Sequence, residues 1–203
     1  MRRNVVLIYP NAGQDVLGIN VGLPLSILYV GTALKDAGYD VTILDERVHT
    51  NFKALLKEAI ASDPVYVGIS SMTGYQISYG LLIAQTIRDL NPRIPIVWGG
   101  VHPTIHPEST ARHRLVVIVV VNEGEETAVE LAGVLAAGGD VRQVRGLAMK
   151  EDGRVVRTLD RPHLAHQTVA DRHQPGMPIP LQLLLPDIAG PAGVSLGVGR
   201  AGV

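Results

Sequence analysis

Three short segments of the chain combine residue types that suit the binding of a ligand, and each follows an apolar run. Hydroxyl groups donate and accept hydrogen bonds, and glycine has no Cβ, so a bulky ligand can approach its backbone closely. We name the segments the serine loop, the double-glycine loop and the acidic loop. Their residues are, in that order, Ser70, Ser71, Met72 and Thr73; Gly99, Gly100, Val101, His102 and Pro103; and Glu123, Gly124 and Glu125.

Each loop also has a purely structural interpretation. The hydroxyls of the serine loop would satisfy free N–H groups if they capped a following helix. The double glycine would serve in a tight turn, and His102 in a hydrogen bond to the backbone. Carboxylates in the first turn of a helix interact favourably with the helix dipole, which would explain the acidic loop. The residue types alone leave both interpretations open.

The elements that position these loops alternate between strands and helices, which indicates an α/β fold with a parallel sheet covered on both faces. The predicted strands are Asn4–Tyr9, Val41–Leu44, Val65–Ile69, Ile96–Trp98 and Leu115–Val121, followed by a hairpin of Gly146–Lys150 and Arg154–Thr158 around Asp152-Gly153. We expect a flavodoxin-like (Rossmann-like), doubly wound five-stranded sheet of order 2-1-3-4-5. Ligands bind outside the carboxyl ends of such strands, where all three loops lie.

The predicted helices have recognisable ends and apolar faces. Pro24 suits the first position of one helix, and Asn51 suits the N-cap of a second, which continues through Ile60. A third helix, from about Gln76 to Leu90, is expected to bury Ile83, Ile87 and Leu90. Two more are predicted at Pro107–His113 and after the acidic loop.

Composition excludes several classes of function. The 203 residues carry 18 basic and 19 acidic side chains, a net charge of −1 without large blocks, so nothing indicates binding to nucleic acid or to an anionic membrane. No apolar run approaches the ~20 residues of a membrane span. There is no cysteine, so the chain has no ligands for an iron–sulfur cluster. Val5–Tyr9 is too short for a signal peptide, and we expect a cytoplasmic protein.

The chain resembles the N-terminal cobalamin-binding domain of cobalamin-dependent radical S-adenosylmethionine (SAM) enzymes. The similar motifs extend over about Val5 to Arg161 and occur in the same order as in that family. They are Pro24-Leu25-Ser26-Ile27-Leu28, Gly38-Tyr39-Asp40-Val41, Gly68-Ile69-Ser70-Ser71-Met72-Thr73, Val97-Trp98-Gly99-Gly100-Val101-His102-Pro103-Thr104, Glu123-Gly124-Glu125-Glu126-Thr127, Gly146-Leu147-Ala148 and Asp152-Gly153.

The resemblance implies that cobalamin binds at the carboxyl edge of the sheet. The serine loop and the double-glycine loop would line a groove for the nucleotide tail, whereas the loop after the first strand and the acidic loop would face the corrin. No catalytic residue is implied within this chain. The expected partner is a radical SAM barrel, on a longer form of the protein or on a separate chain, and the parent activity would be that of a methyltransferase or a cyclase.

Three features differ from the family's pattern. Asn122 stands where arginine usually precedes the acidic motif, so one charge-assisted contact is missing. The loop Asn11–Leu23 contains no histidine that would ligate cobalt, and we therefore name no protein ligand to the metal. The barrel's three-cysteine motif, which should follow the domain, is absent.

We divide the chain into a cobalamin-binding domain, 1–160, and a linker or irregular tail, 161–203. The tail is rich in glycine and proline. It contains Asp171–Gly176, which matches the cobalt-ligating motif Asp-x-His-x-x-Gly, with His173 as the histidine. It also contains Gly197–Gly202, which matches a dinucleotide fingerprint. Both follow the whole sheet, so we predict that neither forms the site that its motif suggests.

Three other functions compete with a cobalamin-binding module. A nucleotide- or nucleotide-sugar-binding domain would also use the double-glycine and acidic loops. A signalling receiver would need acidic residues where the first strand ends in Tyr9-Pro10-Asn11, and is disfavoured. A truncated, nonfunctional fragment would explain the unusual tail and the missing barrel.

Overall fold

A seven-stranded sheet forms the centre of the structure, a computed structural model that describes residues 3–13 and 22–162. The strands are β1 Asn4–Tyr9, β2 Asp40–Asp45, β3 Val67–Ser70, β4 Ile96–Gly99, β5 Ile118–Val120, β6 Leu147–Glu151 and β7 Arg154–Arg157. The helices are α1 Leu25–Asp36, α2 Phe52–Ala61, α3 Tyr75–Leu90, α4 Val101–Ile105, α5 Pro107–Arg112 and α6 Glu125–Ala137, followed by a short 3₁₀ turn at Val141–Gln143.

The strand order is β2-β1-β3-β4-β5-β6-β7. The first five strands are parallel, and β6 and β7 add an antiparallel hairpin at the edge of β5. The predicted order 2-1-3-4-5 and the C-terminal hairpin are therefore confirmed. The interior strands are almost continuously apolar because helices cover both of their faces, and β1 buries Val5, Val6, Leu7 and Ile8.

Successive residues of each strand point to opposite faces, and this divides the core into two layers. One layer packs under α2 and α3 and includes Ile8, Leu56 and Trp98. The other packs under α1 and α6 and includes Leu7, Leu28, Val97 and Leu131. In this second layer Leu7, Gly68, Val97 and Ile118 are paired across four neighbouring strands.

Two details of the predicted helices were wrong. Leu90 is 42% exposed rather than buried, because the buried stripe of α3 runs through Gln76, Gly80, Ile83, Ala84 and Ile87 and leaves Leu90 at its edge on the last turn. Asn51 is the N-cap residue of α2, as predicted, but its side chain makes no capping hydrogen bond. Its backbone, at φ −101° and ψ 25°, is not in the extended region typical of capping residues, and only its carbonyl accepts, from the N–H groups of Ala54 and Leu55.

The helix α4 was not predicted, because its segment has the double glycine before it and Pro103 within it. Beyond Pro162 the tail motifs with His173 and Gly197–Gly202 lie outside the described residues. The proposed domain boundary at residue 160 stays a prediction. No helix in the described ranges is both long enough and apolar enough to span a bilayer.

Candidate functional site

A cavity of about 220 Å³ lies between the sheet and the helices α1 and α6. We call it the site cavity. Strands, loops and helices all contribute to its lining, which consists of Leu7, Ser26, Ile27, Val30, Tyr66, Gly68, Ile69, Ser70, Val97, Gly99, Gly100, Val120, Asn122, Glu123, Gly124, Glu125 and Ala128. Because the lining includes the carboxyl ends of β3, β4 and β5, the site cavity lies where α/β folds bind ligands.

Missing side chains help to keep the space open. A Cβ on Gly68 would lie 2.8 Å from Cδ2 of Leu7, so a larger residue would displace that floor residue. A Cβ on Gly99 would meet only Val120, at 3.9 Å, and would extend into free space. The floor thus consists of strand backbone and small or branched apolar side chains.

The polar residues of the lining lie toward the loops. The hydroxyl oxygens of Ser26 on α1 and Ser70 in the serine loop are 3.0 Å apart. Glu123 is exposed and Glu125 half-buried, and Asn122 has a left-handed backbone, at φ 67°, with its N–H donating to Oγ1 of Thr104. The site cavity is therefore polar at its mouth and apolar at its floor.

The serine loop and the double-glycine loop are joined by backbone hydrogen bonds. The Ser71 N–H donates to the Gly99 carbonyl at 2.9 Å, and the His102 N–H donates to the Ser71 carbonyl at 3.1 Å. Gly100 adopts φ +100°, and a Cβ there would lie 2.8 Å from the Ser71 carbonyl oxygen. Only glycine fits this position, because both the backbone angle and the close approach exclude a side chain.

The hydroxyls of the serine loop do not cap α3. The N-cap of α3 is Gly74, and no side chain caps its N-terminus. The Ser71 Oγ is fully buried and has no hydrogen-bond partner among the described residues. The capping interpretation is therefore wrong for this loop, and the Ser71 hydroxyl is a buried group that no described residue pairs with.

A buried glutamine, predicted only as the start of a helix, connects two loops at the carboxyl edge of the sheet. Gln76 is 2% exposed. Its Nε2 donates to the carbonyl of Pro10 at 3.0 Å, and its Oε1 accepts from the Met72 N–H at 2.7 Å. Gln76 thus holds the serine loop against the start of the loop after β1.

Replacing Gln76 by glutamate is expected to lower the free energy of unfolding by about 1–3 kcal/mol, because a carboxylate cannot donate to Pro10 and leaves its buried carbonyl unpaired. Urea unfolding would measure this. The control Gln143→Glu makes the same change at an exposed position and should leave stability nearly unchanged. Equal losses in the two variants would contradict the bridging role of Gln76.

The twelve predicted site residues divide into two groups of six. Those that line the site cavity are Ser70, Gly99, Gly100, Glu123, Gly124 and Glu125. Those that do not are Ser71, Met72, Thr73, Val101, His102 and Pro103. In the second group Met72 and Val101 are 46% and 56% exposed at the edge of the sheet, and Pro103 is buried.

His102 lies beside a second, smaller cavity of about 110 Å³ next to Trp98, α3 and α5. Its Nδ1 is 3.2 Å from the Thr73 hydroxyl, and its ring centroid is 5.2 Å from that of His106. Burial, and then the nearby His106, lower the pKa of the His102 imidazole. The hydrogen bond with Thr73 ties the double-glycine loop to the serine loop.

Several lining residues were not among the predicted site residues. Ser26 belonged to a recognised motif, but only tertiary structure brings it to Ser70. Tyr66 at the floor is 2% exposed, and its hydroxyl donates to the Ala128 carbonyl at 3.4 Å. Burial, with a smaller contribution from Tyr39, raises the pKa of this hydroxyl well above its usual range, so Tyr66 is neutral.

A buried ion pair lies where β1 and β2 end. Arg47 donates from Nε and Nη2 to the two carboxylate oxygens of Asp45, at 2.9 and 2.7 Å, and both side chains are at most 6% exposed. Its Nη2 also donates to the carbonyl of Gly22 at 2.9 Å, and its guanidinium lies 4.3 Å from the centroid of the Tyr9 ring. Arg47 thus fixes the end of the loop between β1 and α1.

A second arginine joins the last described residues to α6. Arg161 donates from Nε to the Thr127 hydroxyl at 3.0 Å, and its guanidinium pairs with the carboxylates of Glu126 and Glu130. Thr127 is fully buried in the first turn of α6, next to Glu125 of the acidic loop. Among the described residues, no group of three or more histidine, aspartate or glutamate side chains is arranged to hold a metal ion.

The known proteins that resemble this chain indicate one family, the B12 binding domain. Residues 20–132 match the profile of the B12 binding domain. The chain is 32% identical over 187 residues to an uncharacterised methyltransferase of Pyrococcus horikoshii, covering 90% of this chain and 39% of that protein. It is 29% identical over 142 residues to the anaerobic magnesium-protoporphyrin IX monomethyl ester cyclase of Synechocystis, covering 68% of this chain and 28% of the cyclase.

Solved structures share the fold. The radical SAM methyltransferase TsrM of Kitasatospora setae, determined with cobalamin and a 4Fe–4S cluster bound, superposes with a TM-score of 0.69 at 24% identity over 83% of this chain and 31% of its own. The cobalamin-dependent radical SAM enzyme OxsB, with aqua-cobalamin bound, gives a TM-score of 0.65 at 22% identity over 79% of this chain and 23% of its own. The chain thus spans less than half the length of each of these four proteins.

Proposed function

Because the chain belongs to the B12 binding domain family, we propose that it binds cobalamin at the carboxyl edge of its sheet, with the nucleotide tail in the site cavity. The serine loop, the double-glycine loop and the acidic loop would form the rim. Ser26, Tyr66 and Gly68 join the predicted residues as part of this binding site. The competing nucleotide-sugar and receiver functions are not favoured by the family match.

The observation that carries the proposal is the shape and chemistry of the site cavity. Pockets that enclose a whole drug-sized ligand measure roughly 300–1,000 Å³, and this one measures about 220 Å³. It therefore suits the end of a long ligand rather than a whole corrinoid. An aromatic base would lie against the apolar floor, and the sugar and phosphate would lie near the hydroxyls of Ser26 and Ser70.

The residues present fit that role. Gly99 leaves room for a ligand at the mouth, and the hydroxyl oxygens of Ser26 and Ser70, which both line the site cavity, lie 3.0 Å apart. When bound, cobalamin supplies a cobalt centre able to carry a methyl group. The chain's own residues bind the tail, exclude water from its base and orient the rest of the cofactor over the edge of the sheet.

The test is a titration of the purified chain with hydroxocobalamin, followed by gel filtration and visible absorption. Corrin that elutes with the protein and shows a base-off spectrum is the expected result. A folded protein that elutes colourless would refute the proposal. Retained corrin with a base-on spectrum would refute tail binding in the site cavity, since the base would still be coordinated to cobalt and could not lie against the floor.

Cobinamide, which has the corrin but lacks the nucleotide, provides a second prediction. We expect it to bind at least about tenfold more weakly than cobalamin, because burial of an aromatic base contributes more than the 1.4 kcal/mol that a tenfold change requires. Equilibrium dialysis of both corrinoids would measure the ratio. Equal affinities would show that the tail contributes nothing and that the site cavity serves another purpose.

We also propose that this domain works within a larger methyltransferase or cyclase. The support is the length of the relatives, of which the chain spans 28–39%. The barrel would lie on the same or a separate chain, and residues 161–203 would link it to the domain of residues 1–160. The substrate would be determined by the barrel.

A further inference from the structure

We infer that the site cavity selects cobamides whose lower base is an apolar benzimidazole over those whose lower base is a purine. The inference rests on the proposed function, since it assumes that the base enters the site cavity. It deepens that function by naming the class of cofactor. It follows from the distribution of polar groups between the mouth and the floor.

The side chains of the floor offer almost no hydrogen bonds. Leu7, Val97 and Val120 cover the sheet, and Ile27 and Ala128 face it from the two helices. The polar residues of the described lining other than Tyr66 belong to the loops, to the last residue of β3 and to the first turns of the helices. A base that reached the floor would therefore lie beyond the hydroxyls and carboxylates at the mouth and would not bond to them.

The backbone of the floor is also already paired. Gly68 lies in β3, which pairs with β1 on one side and β4 on the other. Val97 lies in β4, between β3 and β5. The carbonyl of Tyr66 accepts from the Val6 N–H at 3.3 Å. The sheet thus presents a closed ladder of hydrogen bonds to the site cavity.

Among the described residues that line the site cavity, Tyr66 has the one polar side chain at the floor, and its hydroxyl already donates to the Ala128 carbonyl. It is neutral and held in place by the surrounding core. A purine carries an exocyclic group and ring nitrogens that are paired with water in solution. Burial without equivalent partners costs free energy, whereas a dimethylbenzimidazole places methyl groups against the same surface.

The experiment compares cobalamin with a cobamide that has adenine as its lower base, by equilibrium dialysis against the purified chain. We expect the adenine cobamide to bind at least about tenfold more weakly. Similar affinities for the two would overturn the inference and leave the proposed function intact. Failure of both to bind would overturn the proposed function and the inference with it.

A pair of threonine variants locates the selectivity. Val97→Thr adds a hydroxyl at the floor, and we expect it to bring the ratio of the affinities for cobalamin and for the adenine cobamide closer to one. Val119→Thr makes the same change on the other face of the neighbouring strand, where Val119 is equally buried in the opposite core layer, and it should leave the ratio unchanged. Equal shifts in both variants would overturn the inference, because the floor would then not determine the preference.

Tyr66→Phe tests whether the one floor hydroxyl serves a purine. We expect that the Tyr66 hydroxyl does not bind a purine base, and that Tyr66→Phe therefore keeps the preference for cobalamin over the adenine cobamide. A preference that appears only in Tyr66→Phe would show that the hydroxyl accepts from the purine in the natural protein, and this would overturn the inference. Circular dichroism of each variant confirms that a changed ratio comes from a folded protein.

Discussion

Gly100→Ala is expected to lower both the stability of the chain and its affinity for cobalamin. An alanine at φ +100° is strained by about 1–3 kcal/mol, and its Cβ would lie 2.8 Å from the Ser71 carbonyl oxygen. Backbone atoms cannot yield as the end of a flexible side chain can. The two loops would therefore separate, which would break the bonds from Ser71 to Gly99 and from His102 to Ser71 that shape the rim of the site cavity.

Alanine variants of two further glycines distinguish the effect of backbone strain from the effect of a side chain that occupies part of the site cavity. Gly99→Ala keeps an unstrained backbone and meets only Val120, so stability should persist while cobalamin affinity falls. Gly22→Ala places its new Cβ more than 4 Å from every atom of the described residues and should change neither stability nor affinity. Urea unfolding and equilibrium dialysis of the three variants would measure this. A Gly100→Ala protein as stable as Gly22→Ala would contradict the described contact with Ser71.

Arg47→Met is expected to destabilise the chain by about 3–5 kcal/mol, the cost of leaving one charge of a buried pair without its partner. Asp45 is 1% exposed, and its carboxylate accepts two bonds from this guanidinium and one, at 3.0 Å, from the Arg47 backbone N–H, which the variant would keep. Methionine would keep much of the volume of the arginine stem but none of its donors. The bond to the Gly22 carbonyl and the contact with the Tyr9 ring would be lost as well. The midpoint of urea unfolding would show the effect.

The matched control is Arg142→Met, which removes an arginine from a pair with Asp140 at the same 2.7 Å. These side chains are 62% and 39% exposed, and water and salt screen such a pair. No measurable loss of stability is expected there. Equal losses in both variants would show that burial does not set the importance of the Asp45–Arg47 pair.

The architecture of the sheet follows from patterns that are local in the sequence. Apolar runs such as Asn4–Tyr9 indicate strands that are buried on both faces, and alternation with helices restricts their order. The incorrect predictions concern details of the helices that tertiary contacts determine. Leu90 lies outside the buried stripe although its spacing from Ile87 suits a helix face, and Asn51 has a capping residue type without a capping backbone.

The candidate site was half predicted for a similar reason. Loops at the carboxyl ends of strands can be located from the strands, so Ser70, Gly99 and Glu123 were identified in advance. Tyr66 and Gln76 could not be, because an apolar run or a helix start does not reveal which residue borders a cavity or joins two loops. Gly99 and Gly100 differ in role only because their backbone angles and neighbouring atoms differ, and neither can be read from the sequence.

The link between Arg161 and α6 has a mechanical consequence. Pro162 is the next residue and the last one described, so the chain continues from a point that is bonded to the first turn of α6. A force applied to the residues after Pro162 would act first on the bonds between the Arg161 guanidinium and α6, and only then on the β6–β7 hairpin. The same helical turn contains Glu125, at the mouth of the site cavity. Tension from whatever the chain is joined to would therefore reach the rim of the binding site through a single side chain.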